Sequence, residues 1–518
     1  MTIEAPRPTT RPRLRLLLQV GAGLLVLLAL LAAWLLVPRY PADLEVAQID
    51  STAPEPRPVE PTVLERTGYY DTVWPSEHAD LWRSHAVSDA GLPADFDVDR
   101  LEVTSTALNL PTWGYTRGED EVFVIGGSPF LLDTFTQSIA TGEPAAGMSQ
   151  LVSDLLDPST PYVAKINPST MDPETLELTR GSTLNYTGGL LMHENGYVYA
   201  VSQAVLYKIN PDSMEVEASV GLPLLGTTWA SQYWTTYNGL QVLRSGSLVL
   251  KGFNLIDDVG VPGVLLQVDP DTLTFEVEQE ATVSSARLMI DEGSNGPGHL
   301  HHVNATESLR FVISGTGFRL DEAWTRTYRD EGDGSTQASS PMLLGGLDRL
   351  VFANNTAPGA TVPIQLFTQG TRQPEGEPLS PTPAFAGGSA GFNFFMVAGD
   401  PFRSGTVVYY DPINDQVSAH RLTPEGDLEP LWQRDSYKVS ASPALVPDRD
   451  LLYIDDYRDG RDHLVVLRLS TGEELAVVEL DATLPTIGTI FPGTADDVYL
   501  LSTETGGRPG LVNRVYVP

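Results

Sequence analysis

Tyr162 to Met171 reads YVAKINPSTM, Leu206 to Met214 reads LYKINPDSM, and Leu265 to Leu273 reads LLQVDPDTL. In each copy, alternating apolar and polar residues suit a half-buried strand. An Asn-Pro or Asp-Pro followed by Ser or Thr then makes a turn into another β-type run. A phrase recurring at roughly 45 to 60 residues marks a repeated unit the size of one four-stranded propeller blade.

A second repeat lies further along the chain. Ala323 to Phe352 and Leu431 to Tyr453 share a Trp, a Tyr, a Ser-Pro strand and an apolar strand. Trp324 and Trp432 are 108 residues apart, the length of two units of about 54. Apolar runs centred near Val122, Leu190, Leu243, Leu288, Leu343, Phe394, Leu445 and Ile490 give eight units, or seven if one is an insertion. The fold class is therefore all-β, a β-propeller of about eight blades spanning Tyr69 to Pro518. A ring must cover its own edges, so the strand near Leu101 to Leu108 is expected to close against Val498 to Val517.

Ser442 to Leu480 shows the unit most fully: a Ser-Pro-Ala-Leu strand, a Leu-Leu-Tyr strand, an Asp459-Gly460 hairpin, a strand ending Leu-Arg-Leu, and Thr471-Gly472-Glu473-Glu474. This stretch resembles a blade of the quinoprotein-like (PQQ-type repeat) β-propeller family. That family usually carries a blade-docking Trp two residues after the Glu pair, where this chain has Ala476. The resemblance covers Gly188 to Val517 and implies the fold. The quinone enzymes of the family use a calcium held by Glu and Asn, a catalytic Asp and often a vicinal cysteine pair. The chain has no cysteine, and no ligand set matches residue by residue.

Leu16 to Val37 is a run of 22 uncharged residues, broken only by Gln19. As a helix it spans about 33 Å, enough to cross a bilayer. Arg7, Arg11, Arg13 and Arg15 precede it, so residues 1–15 read as a cytoplasmic basic arm, 16–37 as a transmembrane signal-anchor and the rest as extracytoplasmic. A cleaved signal peptide is the rival reading, but the apolar run is longer than usual and Leu31-Ala32-Ala33 makes a poor cleavage site. Pro38 to Pro61 holds six prolines and reads as an unpacked tether within residues 38–68. From Pro38 onward there are 28 basic and 66 acidic residues, about −38 in charge, which excludes nucleic acid as a natural partner.

Chemistry-bearing residues are sparse. His299 and His301, in Gly298-His-Leu-His-His302, fall on one face of a strand and are candidate ligands for a divalent metal if a third ligand converges on them. Asp455 to Asp462 (DDYRDGRD) imitates a calcium loop, but Tyr457 and Val466 occupy two ligand positions, so a hairpin accounts for it better. His78-Ala-Asp80-Leu-Trp82-Arg83-Ser84-His85 reads as a segment that plugs the ring, or else as a lid over it. No G-x-S-x-G elbow, H-E-x-x-H or phosphate-binding glycine loop is present. The expectation is a membrane-anchored binding or scaffolding propeller that takes an envelope protein or small ligand. The alternative is a propeller enzyme, either quinone-dependent or a metal-dependent lactonase-like hydrolase.

Overall fold

The computed structural model describes residues 47–48, 53–59 and 66–518, apart from 119–120, 129–158, 180, 182, 255–260, 283, 293–296, 316, 330–338, 355–362, 374–378, 389–396 and 503–508. The expected anchor, Leu16 to Val37, lies outside the described residues. Among the described residues, no helix is long and apolar enough to cross a membrane.

Eight antiparallel sheets follow one another along the chain, each with a core of four strands. The inner strands of blades 1 to 8 are Pro111–Thr116, Thr187–Met192, Thr235–Val242, Met289–Asp291, Met342–Leu344, Ala398–Gly399, Ala444–Val446 and Phe491–Pro492. Blade 7 shows why the sequence alternates as it does. Its inner strand and Leu451–Asp455 are buried throughout, His463–Arg468 is buried except at its ends, and Glu474–Glu479 presents polar residues outward. Ring closure is as expected. The outermost strand of blade 8 is Glu102–Leu108, paired in register from Glu102↔Tyr516 to Leu108↔Gly510. The strand that opens the ring is thus hydrogen-bonded to the last strand of the chain, which ties the seam shut.

The repeated phrase forms the third strand and following turn of blades 1, 2 and 3. Asn167, Asn210 and Asp269 each accept a backbone N–H two residues on, from Ser169, Asp212 and Asp271, at 2.9–3.0 Å. The chain then turns through a left-handed residue at Met171 (φ 58°), Met214 (φ 52°) and Leu273 (φ 56°). A non-glycine residue pays roughly 1–2 kcal/mol to sit there. Burial of each of these apolar side chains offsets that strain. The phrase recurs because one side chain must cap the turn while another fills the space between sheets.

The two tryptophans explain the 108-residue spacing. Trp324, after the last long strand of blade 4, donates its indole N–H to Gly370 O of blade 5 at 2.9 Å. Trp432, in the outer strand of blade 6, donates to Leu469 O of blade 7 at 2.8 Å. Each stitches its blade to the next. Trp432 also lies on Gly472, where an added Cβ would stand 2.6 Å from the ring.

Within the expected tether, the described residues 47–48 and 53–59 meet blade 2. Ala47–Gln48 adds a fifth strand to the outer edge of blade 2 through Ala47↔Ser219 and Gln48↔Ala218. Beyond it, Asn210 Nδ2 donates to Pro54 O and Val59 N to Glu194 O, both at 2.9 Å. The prolines keep this stretch extended, as their fixed φ dictates. Extended chain is also what an unpaired sheet edge accepts.

Candidate functional site

Of the two readings of the histidine-rich arm, the plug holds. Tyr69 to Leu92 runs through the middle of the ring, and its backbone and side chains hydrogen-bond to every blade. Trp74 O accepts from Thr116 N of blade 1, and Pro75 O from Met192 N of blade 2. Tyr69 Oη donates to Gln241 of blade 3 at 2.8 Å. Leu81 O and Trp82 O accept from Ile290 N and Leu343 N of blades 4 and 5, Ser84 O from Gly399 N of blade 6, and His85 O from Leu445 N of blade 7. Gly91 N then donates to Gly493 O beside the inner strand of blade 8. Ala79, Arg83, His85 and Asp89 all have positive φ, between 54° and 74°. Four such residues within eleven are tolerated because the eight inner strands fix the path.

The plug carries an ionic group onto the axis. The Glu77 carboxylate meets Arg287 from the segment entering blade 4, lies 3.5 Å from Arg83 and is 3.6 Å from His78 Nε2. Arg287 stands over the Trp113 ring at 5.0 Å, and His78 and His85 have ring centroids 4.3 Å apart. Lys251, in the second strand of blade 3, is completely buried and donates to Ala286 O. Burial pushes the Arg83 guanidinium down to about 9, with Glu77 opposing. Burial, then the charges of Arg287 and Arg83, hold Lys251 well below its ordinary value. Burial together with Arg83 also pushes His85 down to about 3, so it is neutral. Sequence reasoning missed Lys251 and Arg287, because nothing local in a strand residue or a connection marks it as axial.

Where the two legs of the plug meet the turns of blades 6 and 7 lies a cleft of about 470 Å³, lined by Arg66, Asp71, Asp80, Asp89, Phe402 and Arg403 among others. Phe402 is 49 % exposed and packs on Trp82 at 5.3 Å. Exposed Leu347 stands one turn away, where Gly346 N donates to Pro401 O. Asp400 and Asp80 are taken up by local turns, Asp400 accepting from Phe402 N and Arg403 N and Asp80 from Trp82 N and Ser84 N. The cleft therefore offers an aromatic ring and peripheral charges of both signs.

His299 and His301 do share one face of His299–Val303, with ring centroids 6.2 Å apart. His301 sits edge-on to Trp324 at 5.0 Å, and neither of its ring nitrogens has a hydrogen-bond partner. Burial, His299, Arg310 and Arg372 hold His301 well below the ordinary histidine range, and burial, Arg310 and Arg372 push His299 down to about 4. Asp291, opposite His299 in the ladder, lies 3.3 Å from Arg372. Among the described residues, no group of three or more His, Cys, Asp or Glu side chains is placed to hold an ion.

DDYRDGRD is a hairpin, closed by Arg458 and Arg461 bonding each other's backbone. Its buried carboxylates are structural. Asp455 accepts from Ser440 N and Ala441 N, and Asp462 from Thr486 N at 2.7 Å, so the two tie down the connections on either side of blade 7. Asn185, Asn304 and Asn354, each of which opens an Asn-x-Thr triplet of the kind that accepts N-linked glycans, are buried, with their amides bonded to Gly127 O, Glu307 and Pro363 O.

No protein-family model matches the sequence, and no curated protein matches it. Solved structures do. Quinohemoprotein alcohol dehydrogenase from Comamonas testosteroni superposes with a TM-score of 0.55 at 10% identity, over 87% of this chain and 81% of that one. The WD40 domain of SCAP from fission yeast gives 0.46 at 8% identity, over 81% and 98%. At such identities the likeness is one of fold. On the axis the residues of this chain do not fit a quinone, because Trp74, Leu81, Trp82 and the Glu77 cluster occupy it and bond to the inner strands. The chain is an eight-bladed β-propeller closed by its own N-terminal strand and filled by its own N-terminal segment.

Proposed function

We propose that this chain is a membrane-anchored, extracytoplasmic β-propeller acting as a binding or scaffolding module of the cell envelope, presenting a face of the ring to an envelope protein or a small ligand. The observation that carries this reading is the plug. A propeller enzyme of quinone or lactonase type works from the central channel, and here Tyr69 to Leu92 fills that channel and hydrogen-bonds to all eight blades. What is left for recognition is the exposed turn surface, where the cleft beside Phe402 combines a cavity with unpaired apolar area. The anchor and the orientation rest on the uncharged run Leu16 to Val37 and the four arginines before it.

The test is protease protection in intact cells or spheroplasts, followed by site-specific crosslinking. Under this reading the full chain fractionates with the membrane and its propeller is reached only from outside. A photo-crosslinker at Phe402 then captures the same species that is lost on Phe402→Asp substitution. A soluble cytoplasmic chain, or a purified chain with stoichiometric metal or a quinone chromophore, would move the enzyme reading ahead.

A further inference from the structure

We propose that the N-terminal arm, clamped along blade 2, turns the rim of that blade toward the lipid bilayer and leaves the cleft beside Phe402 on the far half of the ring. This rests on the anchor reading of Leu16 to Val37 given above. The clamp begins at the rim, where Ala47↔Ser219 and Gln48↔Ala218 extend the sheet of blade 2. It continues inward across the turns of the same blade. Pro54 O accepts from Asn210 Nδ2 before the outer strand, and at the turn after the inner strand Val59 N donates to Glu194 O and Gly68 O accepts from Glu194 N, all at 2.9 Å. Between these bonds Pro56 is buried, and Arg57 O lies so close over Gly196 that an added Cβ would stand 2.6 Å from it. The described parts of the arm therefore lead from rim to axis along a single blade.

Only residues 38–46 separate the anchor from the first clamped residue. However it runs, the chain from Val37 to Ala47 reaches at most about 36 Å. Blades 2 and 6 are four apart in a ring of eight and so stand opposite each other. From Ala47, four strand spacings through blade 2, at least two across the plug and three through blade 6 come to about 43 Å. The lead is thus shorter than the ring is wide, and the inverted orientation, with blade 6 at the bilayer and blade 2 away from it, is out of reach. Lying flat gains nothing either, because a domain carrying about −38 is repelled by anionic headgroups. The cleft beside Phe402 is built on the turns of blades 6 and 7, so a partner there is met from the aqueous compartment rather than within the bilayer.

The experiment places the full chain, which has no cysteine of its own, in phosphatidylcholine vesicles containing a rhodamine-labelled lipid, with one donor dye on Asp212→Cys or on Glu425→Cys. Both residues are exposed and sit in matching turns, before the outer strands of blades 2 and 6. Energy transfer to the bilayer should be at least about twofold greater from the blade 2 label, across a ring that wide. A Gly-Ser insertion of about thirty residues between Ala42 and Asp43 lengthens the lead and should bring the two values together. The same insertion between Pro61 and Thr62 lies behind the clamp and should leave them apart. Equal transfer from the two labels in the parent, or an insertion at Pro61 that equalises them as well, overturns the proposal. A chain that does not float with the vesicles overturns the anchor reading and this proposal together, so the two failures are told apart.

Discussion

Glu77→Gln is the sharpest perturbation of the axis. The substitution keeps the shape and leaves packing intact, but it removes the one negative charge between Arg83 and Arg287, at a residue 4 % exposed. Removing one partner of a buried pair leaves the other charge uncompensated, which costs about 3–5 kcal/mol. Unfolding entropy of about 2.1 cal/mol/K per residue over the propeller gives about 1 kcal/mol/K, so the midpoint should fall by about 3–5 °C. The assay is thermal unfolding followed by far-UV dichroism, with gluconate as the only anion so that no compact ion replaces the carboxylate. Glu77→Gln with Arg287→Met should be less damaging than Glu77→Gln alone, because the orphaned charge is gone. A fall of under 1 °C, or a double variant worse than the sum of the singles, would refute the ionic account of the plug.

Trp432→Ala should destabilise by about 3–5 kcal/mol, the usual range for a buried aromatic truncated to alanine, with Trp324→Ala similar; chemical denaturation midpoints measure both. Gly472→Ala should also be destabilising, since its φ of +67° is strained for alanine and the new Cβ would stand 2.6 Å from the Trp432 ring; replacing Trp432 as well should relieve only the steric part. Burial raises the Asp462 carboxyl to about 7, and burial with the Asp462 charge holds Asp455 well above the carboxylate range. A folded-state value above the unfolded one gives stability that is complete below about pH 4 and lost as pH rises to about 7. Asp462→Asn should therefore gain on the parent across that window and level off above it, as urea midpoints at a series of pH values will show. Elemental analysis of chelator-free protein checks the histidine pair: metal held by His299 and His301 disappears in the double alanine variant, and equal content in both forms removes the assignment.

The ring was legible in the sequence because its signals are local. An Asn or Asp cap, a buried left-handed residue and alternating strands all fall within ten residues, so Asn210 to Met214 announces itself. Ring closure was legible too, since an N-terminal strand with no blade of its own must pair at the seam. For the tether, proline content reports an extended backbone and says nothing about which edge that backbone meets, which for Ala47–Gln48 is the outer strand of blade 2. The axial cluster was invisible for a related reason. Arg83, Lys251 and Arg287 are separated by up to 204 positions and are brought together only by the circular arrangement of the blades. His299 and His301 were easy to notice because they are only two positions apart in sequence, yet their neighbours in space are Arg310, Arg372 and Trp324.

The central claim is that the chain fills its own channel. Hydrogen exchange on the full-length protein tests it at Tyr69 to Leu92, a segment without regular secondary structure whose amides would exchange within seconds to minutes if it lay on the surface. The account predicts that Leu343, Gly399, Leu445 and Val87, whose amides take part in plug-to-blade bonds, exchange as slowly as the blade 7 strand Leu451–Asp455. Rapid exchange at Val87 and across the plug, with the blades still protected, would show an open channel and contradict it.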